Sequence, residues 1–177
     1  MEAPTIRPSR DADVPAITAI YAHHVETGTA SFETAAPDEA EMRRRRNMLI
    51  GKQYPWFVAE LDGEVCGYAY AGPYRTRPAY RHSVEDSVYV RSSVQRRGVG
   101  KALLDTLIQA CTDRGFRQMV AIIGDSAQVA SIGLHREAGF EMAGTLRNIG
   151  YKHDRWLDTV FMQLALGKGA STAPDRR

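Results

Sequence analysis

The fold is decided by the stretch VYVRSSVQRRGVGKALL, residues 88–104. It begins with apolar, β-branched residues, continues through a basic segment with two glycines, and ends with apolar residues at helical spacing. This pattern predicts a strand that leads through a turn directly into a helix. Backbone N–H groups at the start of a helix, together with the partial positive charge there, favour an anion. The turn is therefore a candidate phosphate or pyrophosphate site.

Two common phosphate-binding loops do not match this turn. A Walker A loop has a glycine where the chain has Gln95 and a Ser or Thr where it has Ala102, and the dinucleotide fingerprint has a third glycine in place of Leu103. The remaining pattern, Gln-x-x-Gly-x-Gly between a strand and a helix, resembles the pyrophosphate loop of the GNAT superfamily of N-acetyltransferases. The alternative is a glycine-rich turn that binds nothing. The resemblance implies that the cofactor acetyl-CoA contacts the loop residues Gln95, Arg96, Arg97, Gly98, Val99, Gly100 and Lys101.

The composition is typical of one globular domain, with 177 residues, 44% hydrophobic and 25% charged. A net charge of +2 is too small to indicate a nucleic-acid partner. No apolar run approaches the roughly 18 residues of a membrane-spanning helix, and the N-terminus lacks the pattern of a signal peptide. Two separated cysteines, Cys66 and Cys111, indicate neither a disulfide framework nor a zinc cluster. We expect a cytoplasmic protein without metal, membrane or nucleic-acid partners.

In the rest of the chain, segments with the apolar pattern of a strand alternate with segments whose apolar residues recur at the spacing of a helix. Strands are predicted at residues 5–8, 56–61, 65–70, 83–90, 119–123, 140–148 and 155–164. Helices are predicted after the acidic residues 11–13, from residue 37, and at 98–113 and 127–138. Asp62-Gly63 predicts a hairpin, which excludes a purely parallel sheet. We expect an α/β fold of the α+β type: a single GNAT-like domain over 1–166, with a mixed, mostly antiparallel twisted sheet flanked by helices, and a disordered tail over 167–177.

A second part of the chain supports the same superfamily. Residues 125–140 resemble its second acetyl-CoA segment. Residues 29–33, 74–80, 84–90 and 131–135 resemble, more narrowly, the phosphinothricin and methionine sulfoximine N-acetyltransferases. This resemblance covers the chain from the first strand to Leu164. It implies a homodimeric enzyme that transfers acetyl from acetyl-CoA, through a tetrahedral intermediate, directly to the α-amine of a small glutamate-like amino acid analogue such as phosphinothricin, methionine sulfoximine or methionine sulfone.

Candidate catalytic residues follow from the chemistry of amine acetylation. The amine must lose a proton, the oxyanion must be stabilised and a thiolate must leave. The resemblance gives the role of base to Glu85, while its neighbour Asp86 is predicted to point to the opposite face of the strand. It places His135 where the superfamily usually has a tyrosine that protonates the thiolate, so His135 is predicted to be this acid or a second base. Val88 and Val90 are predicted to contact the cofactor, with the Val90 N–H at the oxyanion.

The helix that carries His135 is predicted to present a ligand-facing stripe. Gln128, Ser131 and His135 lie three and four residues apart and so share one face. Gln128 and Ser131 are predicted cofactor contacts. Related proteins commonly carry Asn where this chain has Gln128, and the extra methylene leaves the contact with the pantetheine arm open.

Two arginines suggest the chemical class of the acceptor substrate. Arg75 and Arg77 suit forked binding of carboxylate, phosphinate or sulfoximine oxygens, and Phe32 is a candidate apolar wall. The resemblance to homodimers suggests that Lys152 or Trp156 approaches from the neighbouring subunit. The alternative interpretation of Arg75 and Arg77 is that they are surface arginines paired with nearby acidic residues and bind no substrate.

Other functions stay open at this stage. One is acetylation of a different amine, such as an aminoglycoside, a polyamine or a protein N-terminus, although a cationic acceptor would favour an acidic pocket. Another is a non-catalytic acyl-CoA-binding sensor, for which the unusual Gln128 is the sequence hint. The basic run 43–46 is interpreted as a solvated helix surface, and His23-His24 lacks a partner at metal-binding spacing.

Overall fold

The computed structural model of the protein describes residues 3–174, which form four α-helices and one seven-stranded sheet. The strands are β1 (Thr5–Pro8), β2 (Trp56–Leu61), β3 (Glu64–Pro73), β4 (Ser83–Val90), β5 (Gln118–Gly124), β6 (Glu141–Lys152) and β7 (Arg155–Ala165). The helices are α1 (Val14–Thr27), α2 (Glu39–Gly51), α3 (Val99–Asp113) and α4 (Val129–Glu137).

The sheet has the strand order β1-β2-β3-β4-β5-β7-β6. Among the described strands only β4 and β5 pair in parallel, joined by the crossover helix α3, while the other neighbours are antiparallel. The predicted mixed, mostly antiparallel α/β sheet is confirmed. The one parallel pair matters for function, because the carboxyl ends of β4 and β5 open at the same edge.

Local chemistry explains several boundaries. Asp62 (φ 53°) and Gly63 (φ 78°) both adopt left-handed conformations, as a type I′ hairpin turn between β2 and β3 requires. The Asp38 side chain accepts a hydrogen bond from the Glu41 N–H at 2.8 Å and so caps the start of α2. The predicted hairpin is confirmed, and the second helix begins at Glu39, two residues later than the sequence predicts.

Apolar side chains cover both faces of the sheet. Helices α1 and α2 pack on one face, over buried residues that include Ile17, Val25 and Tyr68. Helices α3 and α4 pack on the other, where Leu103, Leu104 and Leu107 are fully buried. Burying one such leucine stabilises a fold by roughly 1.5–3 kcal/mol, so these three side chains together are comparable with the net stability of a whole domain.

Two other differences from the predicted boundaries bear on the site and on the edge of the sheet. Helix α4 begins at Val129 rather than at residue 127, because Asp125 accepts hydrogen bonds from the N–H groups of Ala127 and Gln128, both at 3.0 Å, in a turn before the helix. Strand β6 continues to Lys152 rather than ending near residue 148. Its register shifts twice, and such bulges re-aim side chains along an edge strand.

The basic run on α2 is only partly a solvated surface. Arg43, Arg44 and Arg45 pair with exposed or half-buried acids, as expected. Arg46 is buried instead, and donates to the side chain and carbonyl of Ser9 at 2.8 and 2.6 Å. It therefore ties α2 to the start of the chain.

The segment after β7 was predicted as a disordered tail. Arg117 donates hydrogen bonds to the carbonyls of Gly169 and Ala173 and to the Thr172 hydroxyl, so this part of the segment is held against the domain. Residues 175–177 lie outside the described residues. Within residues 3–174, none of the helices combines the length and hydropathy needed to cross a bilayer.

Candidate active site

The predicted anion site forms at the start of α3. Arg96 (φ 64°) and Gly98 (φ 78°) adopt left-handed conformations, and α3 then begins at Val99 without a side-chain cap. The first N–H groups of the helix therefore remain available to a ligand on an exposed surface. Arg96 and Arg97 lie exposed beside them, while the Lys101 ammonium pairs with Asp105. The structure thus brings the predicted loop residues 95–101 together around one helix terminus.

A cleft opens where β4 and β5 part. The two strands pair only from Ser83–Asp86 against Gln118–Ala121, and beyond these residues they diverge. The cleft is lined by the strand residues Asp86, Ser87, Val88, Tyr89, Ala121, Ile122 and Ile123, by Gln128, Ser131 and His135 of the α4 segment, and by Ala30. It therefore gathers the predicted cofactor residues Val88, Gln128 and Ser131 next to the start of α3.

The backbone of β4 faces this cleft with unpaired amides. The Arg91 N–H bonds to the Cys66 carbonyl of β3 at 2.8 Å. Antiparallel pairing alternates, so the N–H groups of Val88 and Val90 point away from β3. The register places no β5 residue opposite either of them. This is the orientation that an oxyanion donor at Val90 requires.

His24 of α1 fixes the same strand from the other side. Its Nε2 donates to the Val90 carbonyl at 2.9 Å. A carbonyl oxygen only accepts, so Nε2 carries a proton; burial lowers the pKa of His24 and favours the neutral ring, although the Val90 hydrogen bond opposes this shift. His24 thereby orients the Val90 peptide at the mouth of the cleft. The sequence interpretation missed this role, because nothing in a His-His pair on a helix indicates a contact with a distant strand.

Glu85 has the environment of a base. Burial raises the pKa of its carboxyl group to about 6, Arg75 lowers it and Asp86 adds to the rise. The Arg75 Nη1 lies 4.0 Å from Glu85 Oε2, and the Glu85 side chain stays about one-third exposed (34%). At neutral pH the group is mostly deprotonated, yet basic enough to accept a proton and reachable by a ligand.

His135 is held by two acceptors. Its Nε2 lies 2.9 Å from Asp86 Oδ2, and its Nδ1 lies 2.7 Å from the Ser131 carbonyl. Burial alone would lower the pKa of His135, but the hydrogen bond and charge of Asp86, with the Ser131 carbonyl, outweigh it and raise the pKa. Because both neighbours of the buried ring are acceptors, the arrangement engages both ring nitrogens and suits a protonated ring that pairs with Asp86.

The two predicted catalytic residues lie on opposite faces of the sheet. Glu85 shares the α1 side of β4 with Tyr89, whereas Asp86 points to the α3 side, where it meets His135. The predicted alternation of Glu85 and Asp86 is thus present. What the sequence did not indicate is that Asp86, set aside as facing away, is the partner of the other candidate.

A loop after α1 contributes Ala30 to the wall of the cleft. The Thr29 hydroxyl donates to Asp125 Oδ2 at 2.8 Å and accepts from Gln128 Nε2 at 3.0 Å. Gln128, a residue of the cleft lining, thus uses its amide nitrogen on the loop.

Lys152 also contacts this loop, in its own chain. Its buried Nζ donates to the Ser31 carbonyl at 2.8 Å, and burial lowers the pKa of the ammonium group. In its own chain Lys152 is therefore engaged by the loop beside β6, and its approach to a neighbouring subunit stays an expectation. Trp156, the other residue of that expectation, is exposed (61%).

Of the predicted acceptor residues, Arg75 is the one that the described contacts place beside Glu85. Arg75 stacks on Tyr74, with its guanidinium carbon 4.5 Å from the ring centre, next to the Glu85 carboxylate. Arg77 is exposed on the same segment, at the start of the short 3₁₀ turn Pro78–Tyr80. Phe32 is partly exposed on the loop after α1. Among the described residues no group of three or more His, Cys, Asp or Glu side chains is arranged to hold a metal ion.

Comparison with known proteins agrees with this geometry. The chain matches the acetyltransferase (GNAT) family over residues 17–140. It is 52% identical over 171 residues to a phosphinothricin N-acetyltransferase of Alcaligenes faecalis, covering 97% of this chain and 87% of that protein. It is 42% identical over 163 residues to an L-methionine sulfoximine/L-methionine sulfone acetyltransferase of Pseudomonas aeruginosa, covering 92% and 94%.

Solved structures extend the match to three dimensions. The crystal structure of a GNAT superfamily phosphinothricin acetyltransferase from Sinorhizobium meliloti in complex with AcCoA superimposes with a TM-score of 0.96 at 46% identity, covering 99% of this chain and 95% of that one. The family predicted from the loop and from the helix that carries His135 is confirmed. This chain belongs to the GNAT acetyltransferase family.

Proposed function

We propose that this acetyltransferase transfers the acetyl group of acetyl-CoA to the α-amino group of a small, glutamate-like amino acid analogue. The observation that carries the proposal is the pairing of Glu85, on β4, with Arg75, where the neighbouring β4 residues Asp86 and Ser87 line the cleft between β4 and β5. A base with a pKa of about 6 and a cation for an acidic substrate stand side by side there. The names of the relatives point to the same substrate class.

The proposed cofactor residues contact different parts of acetyl-CoA along the cleft. The N–H groups at the start of α3, with Arg96, Arg97 and Lys101, suit the pyrophosphate of CoA. Val88, Gln128 and Ser131 line the path of the pantetheine arm. Acetyl-CoA supplies an activated acyl group and a thiolate leaving group. The Val90 N–H, unpaired with β5, donates to the oxygen on which negative charge develops.

Glu85 carries out the first proton transfer. An amino acid's α-ammonium group is mostly protonated at neutral pH, so the Glu85 carboxylate takes one proton, directly or through water, and leaves an amine that attacks the thioester carbon. The C–N bond forms and the C–S bond breaks, and the proton that the nitrogen loses on becoming an amide balances the one that the thiolate gains. For the proton that returns to the thiolate, His135 remains our proposal, and it requires the ring to exchange one of its two hydrogen bonds for the sulfur.

The acceptor pocket is proposed to be cationic and partly apolar. Arg75 and Arg77 bind the carboxylate, phosphinate or sulfoximine oxygens, and Phe32 contacts the aliphatic part of the substrate. These arginines disfavour polyamines and aminoglycosides, which would bring like charge beside them. Acetylation of the α-amine removes the ammonium charge by which amino acid sites recognise their ligands.

We further propose a homodimer in a reducing, cytosolic compartment. Large apolar side chains are concentrated on the exposed hairpin of β6 and β7, as a self-associating surface requires. Both cysteines are buried free thiols, which suits a reducing compartment.

The proposed function is tested by a turnover panel at fixed acetyl-CoA concentration, following the release of CoA. We expect turnover with phosphinothricin, methionine sulfoximine or methionine sulfone, and none with spermidine or an aminoglycoside. Preferential turnover of a cationic amine would assign a different acceptor. Tight binding of acetyl-CoA without turnover of any amine would instead indicate an acyl-CoA sensor.

A further inference from the structure

The Phe32 ring occupies space that two glycines leave open. A Cβ atom on Gly124, at the end of β5, would lie 2.7 Å from Phe32 Cε1 and 2.6 Å from the Thr29 carbonyl oxygen. A Cβ atom on Gly150, in β6, would lie 2.7 Å from Phe32 Cδ2 and would overlap Cε2. Real Cβ contacts essentially never fall below 3.0 Å. The ring therefore fills the volume of two absent side chains.

The backbone does not explain the glycine at position 150. Neither Gly124 nor Gly150 has a positive φ, in contrast with Gly98 at the start of α3. On the same strand, a Cβ at Gly144 would meet nothing within 4 Å. At position 150 the close contacts of an added Cβ are all with Phe32, so the ring is what requires a glycine there.

Strand β6 supports the loop at two points. Gly150 and Lys152 are two residues apart and so lie on one face of the strand. Lys152 binds the Ser31 carbonyl, one residue before Phe32, and Gly150 receives the ring itself. The register shift before Gly150, with Asn148 at φ 51°, brings this face of β6 to the loop. The main chain and the side chain of the loop are thus both positioned by β6.

We propose that Gly150 determines acceptor specificity by setting the position of Phe32. The proposal rests on the proposed function, in which Phe32 is the apolar wall of the acceptor pocket. Phe32 is 38% exposed. Because Gly124 of β5 and Gly150 of β6 flank the ring, a side chain at position 150 moves the ring toward its exposed side, which is the side available to the acceptor. The pocket then narrows, while the cofactor residues on α3 and α4 are not touched.

The test compares Gly150→Ala with Gly144→Ala, a matched change on the same strand without a close neighbour. Using the acceptor with the highest turnover in the panel, we expect Gly150→Ala to raise the KM of the acceptor about tenfold, with less than a roughly twofold change in the KM of acetyl-CoA. Gly144→Ala should leave both unchanged. Phe32→Leu, introduced into the Gly150→Ala variant, should lower the acceptor KM again, because a smaller side chain relieves the overlap.

The outcomes separate the two proposals. An unchanged acceptor KM in Gly150→Ala, with active wild-type enzyme, overturns the role of Gly150 and leaves the proposed function intact. A raised KM that Phe32→Leu does not relieve also overturns it, because the effect then does not pass through the ring. A wild-type enzyme that turns over no member of the panel contradicts the proposed function itself, and the specificity role falls with it.

Discussion

The carboxyl group of Glu85 is subject to two opposing effects. Burial against the sheet disfavours the charged form and raises the pKa to about 6, while the Arg75 guanidinium, 4.0 Å away, favours the charged form. The balance leaves a group that is deprotonated at neutral pH but more basic than an ordinary glutamate. Arg75 thus has two consequences at this site, because the cation proposed to bind the acceptor also tunes the base.

The pH dependence of the reaction should report this balance. A base must be deprotonated to act, so kcat/KM should rise with pH through about 6 and then level off. Arg75→Gln removes the charge that lowers the Glu85 pKa. The acidic limb, which is the rising part of the curve of kcat/KM against pH, should therefore move to higher pH, whatever the drop in overall rate. The limb is measured from initial rates at saturating acetyl-CoA between pH 5 and 8.

Glu85→Gln serves as the reference for that measurement. We expect turnover to fall by a factor on the order of 10² or more, with unchanged acetyl-CoA binding, since the amide keeps the size of the side chain but cannot accept the proton. An acidic limb that persists in Glu85→Gln would show that another group titrates. A limb that does not move in Arg75→Gln would contradict the coupling between the two residues.

At the scale of elements, a buried ion pair connects α4 with β4. Helix α4 has only nine residues, and His135 is its buried residue. The Asp86–His135 contact anchors the helix at the edge of the cleft, and the Ser131 carbonyl fixes the other side of the ring. Because Gln128 and Ser131 belong to the same segment, this anchor positions the cofactor-facing stripe.

Removing one partner should destabilise the protein strongly. Asp86→Ala leaves a buried imidazole without its counterion, and losses of about 3–5 kcal/mol are typical for such a change. The His135 pKa is raised in the folded state, so its contribution is fully present below the unfolded value of 6.5 and is lost as pH rises through the folded value. The difference between wild type and Asp86→Ala, measured by urea unfolding, should therefore be larger at pH 6 than at pH 9.

An exposed ion pair in the same protein provides the control. Lys101 and Asp105 pair across one turn of α3 with both side chains about half exposed. Asp105→Ala should change the free energy of unfolding by less than about 1 kcal/mol. Equal losses in Asp86→Ala and Asp105→Ala, or a difference that grows with pH, would contradict the buried pair as the anchor of α4.

The elements themselves could be predicted because their signals are local. Asp62-Gly63 specifies the turn between β2 and β3, Asp38 lies directly before α2, and the glycines of residues 95–101 lie at the start of α3. The contacts that shape the site join distant positions: Asp86 and His135 are 49 residues apart, His24 and Val90 are 66 apart, and Lys152 and Ser31 are 121 apart. Such pairs depend on how helices pack on the sheet, which periodicity does not specify. The resemblance supplied candidate residues, but not their partners.

At the scale of the whole molecule, the edge of the sheet formed by β6 exposes large apolar side chains. Strand β6 is the last strand of the sheet and is exposed along most of its length. Five large apolar side chains of this hairpin are at least half exposed: Met142, Leu146, Ile149, Tyr151 and Trp156. An unpaired edge that exposes several large apolar side chains invites association, and folded proteins normally cover such an edge. A second copy of the chain, presenting the same edge, is the occupant that we propose.

The proposed dimer should depend on this hairpin. We expect the wild-type protein to sediment as a dimer at micromolar concentration. The double variant Ile149→Glu with Trp156→Glu should sediment as a monomer with an unchanged circular dichroism spectrum, because two charges would be buried without partners in each half of the interface. Met48→Glu, a change at an exposed apolar residue (45%) of α2, should remain dimeric. A wild-type monomer would contradict the dimer, and a dimer that survives the double substitution would place its interface elsewhere than on β6 and β7.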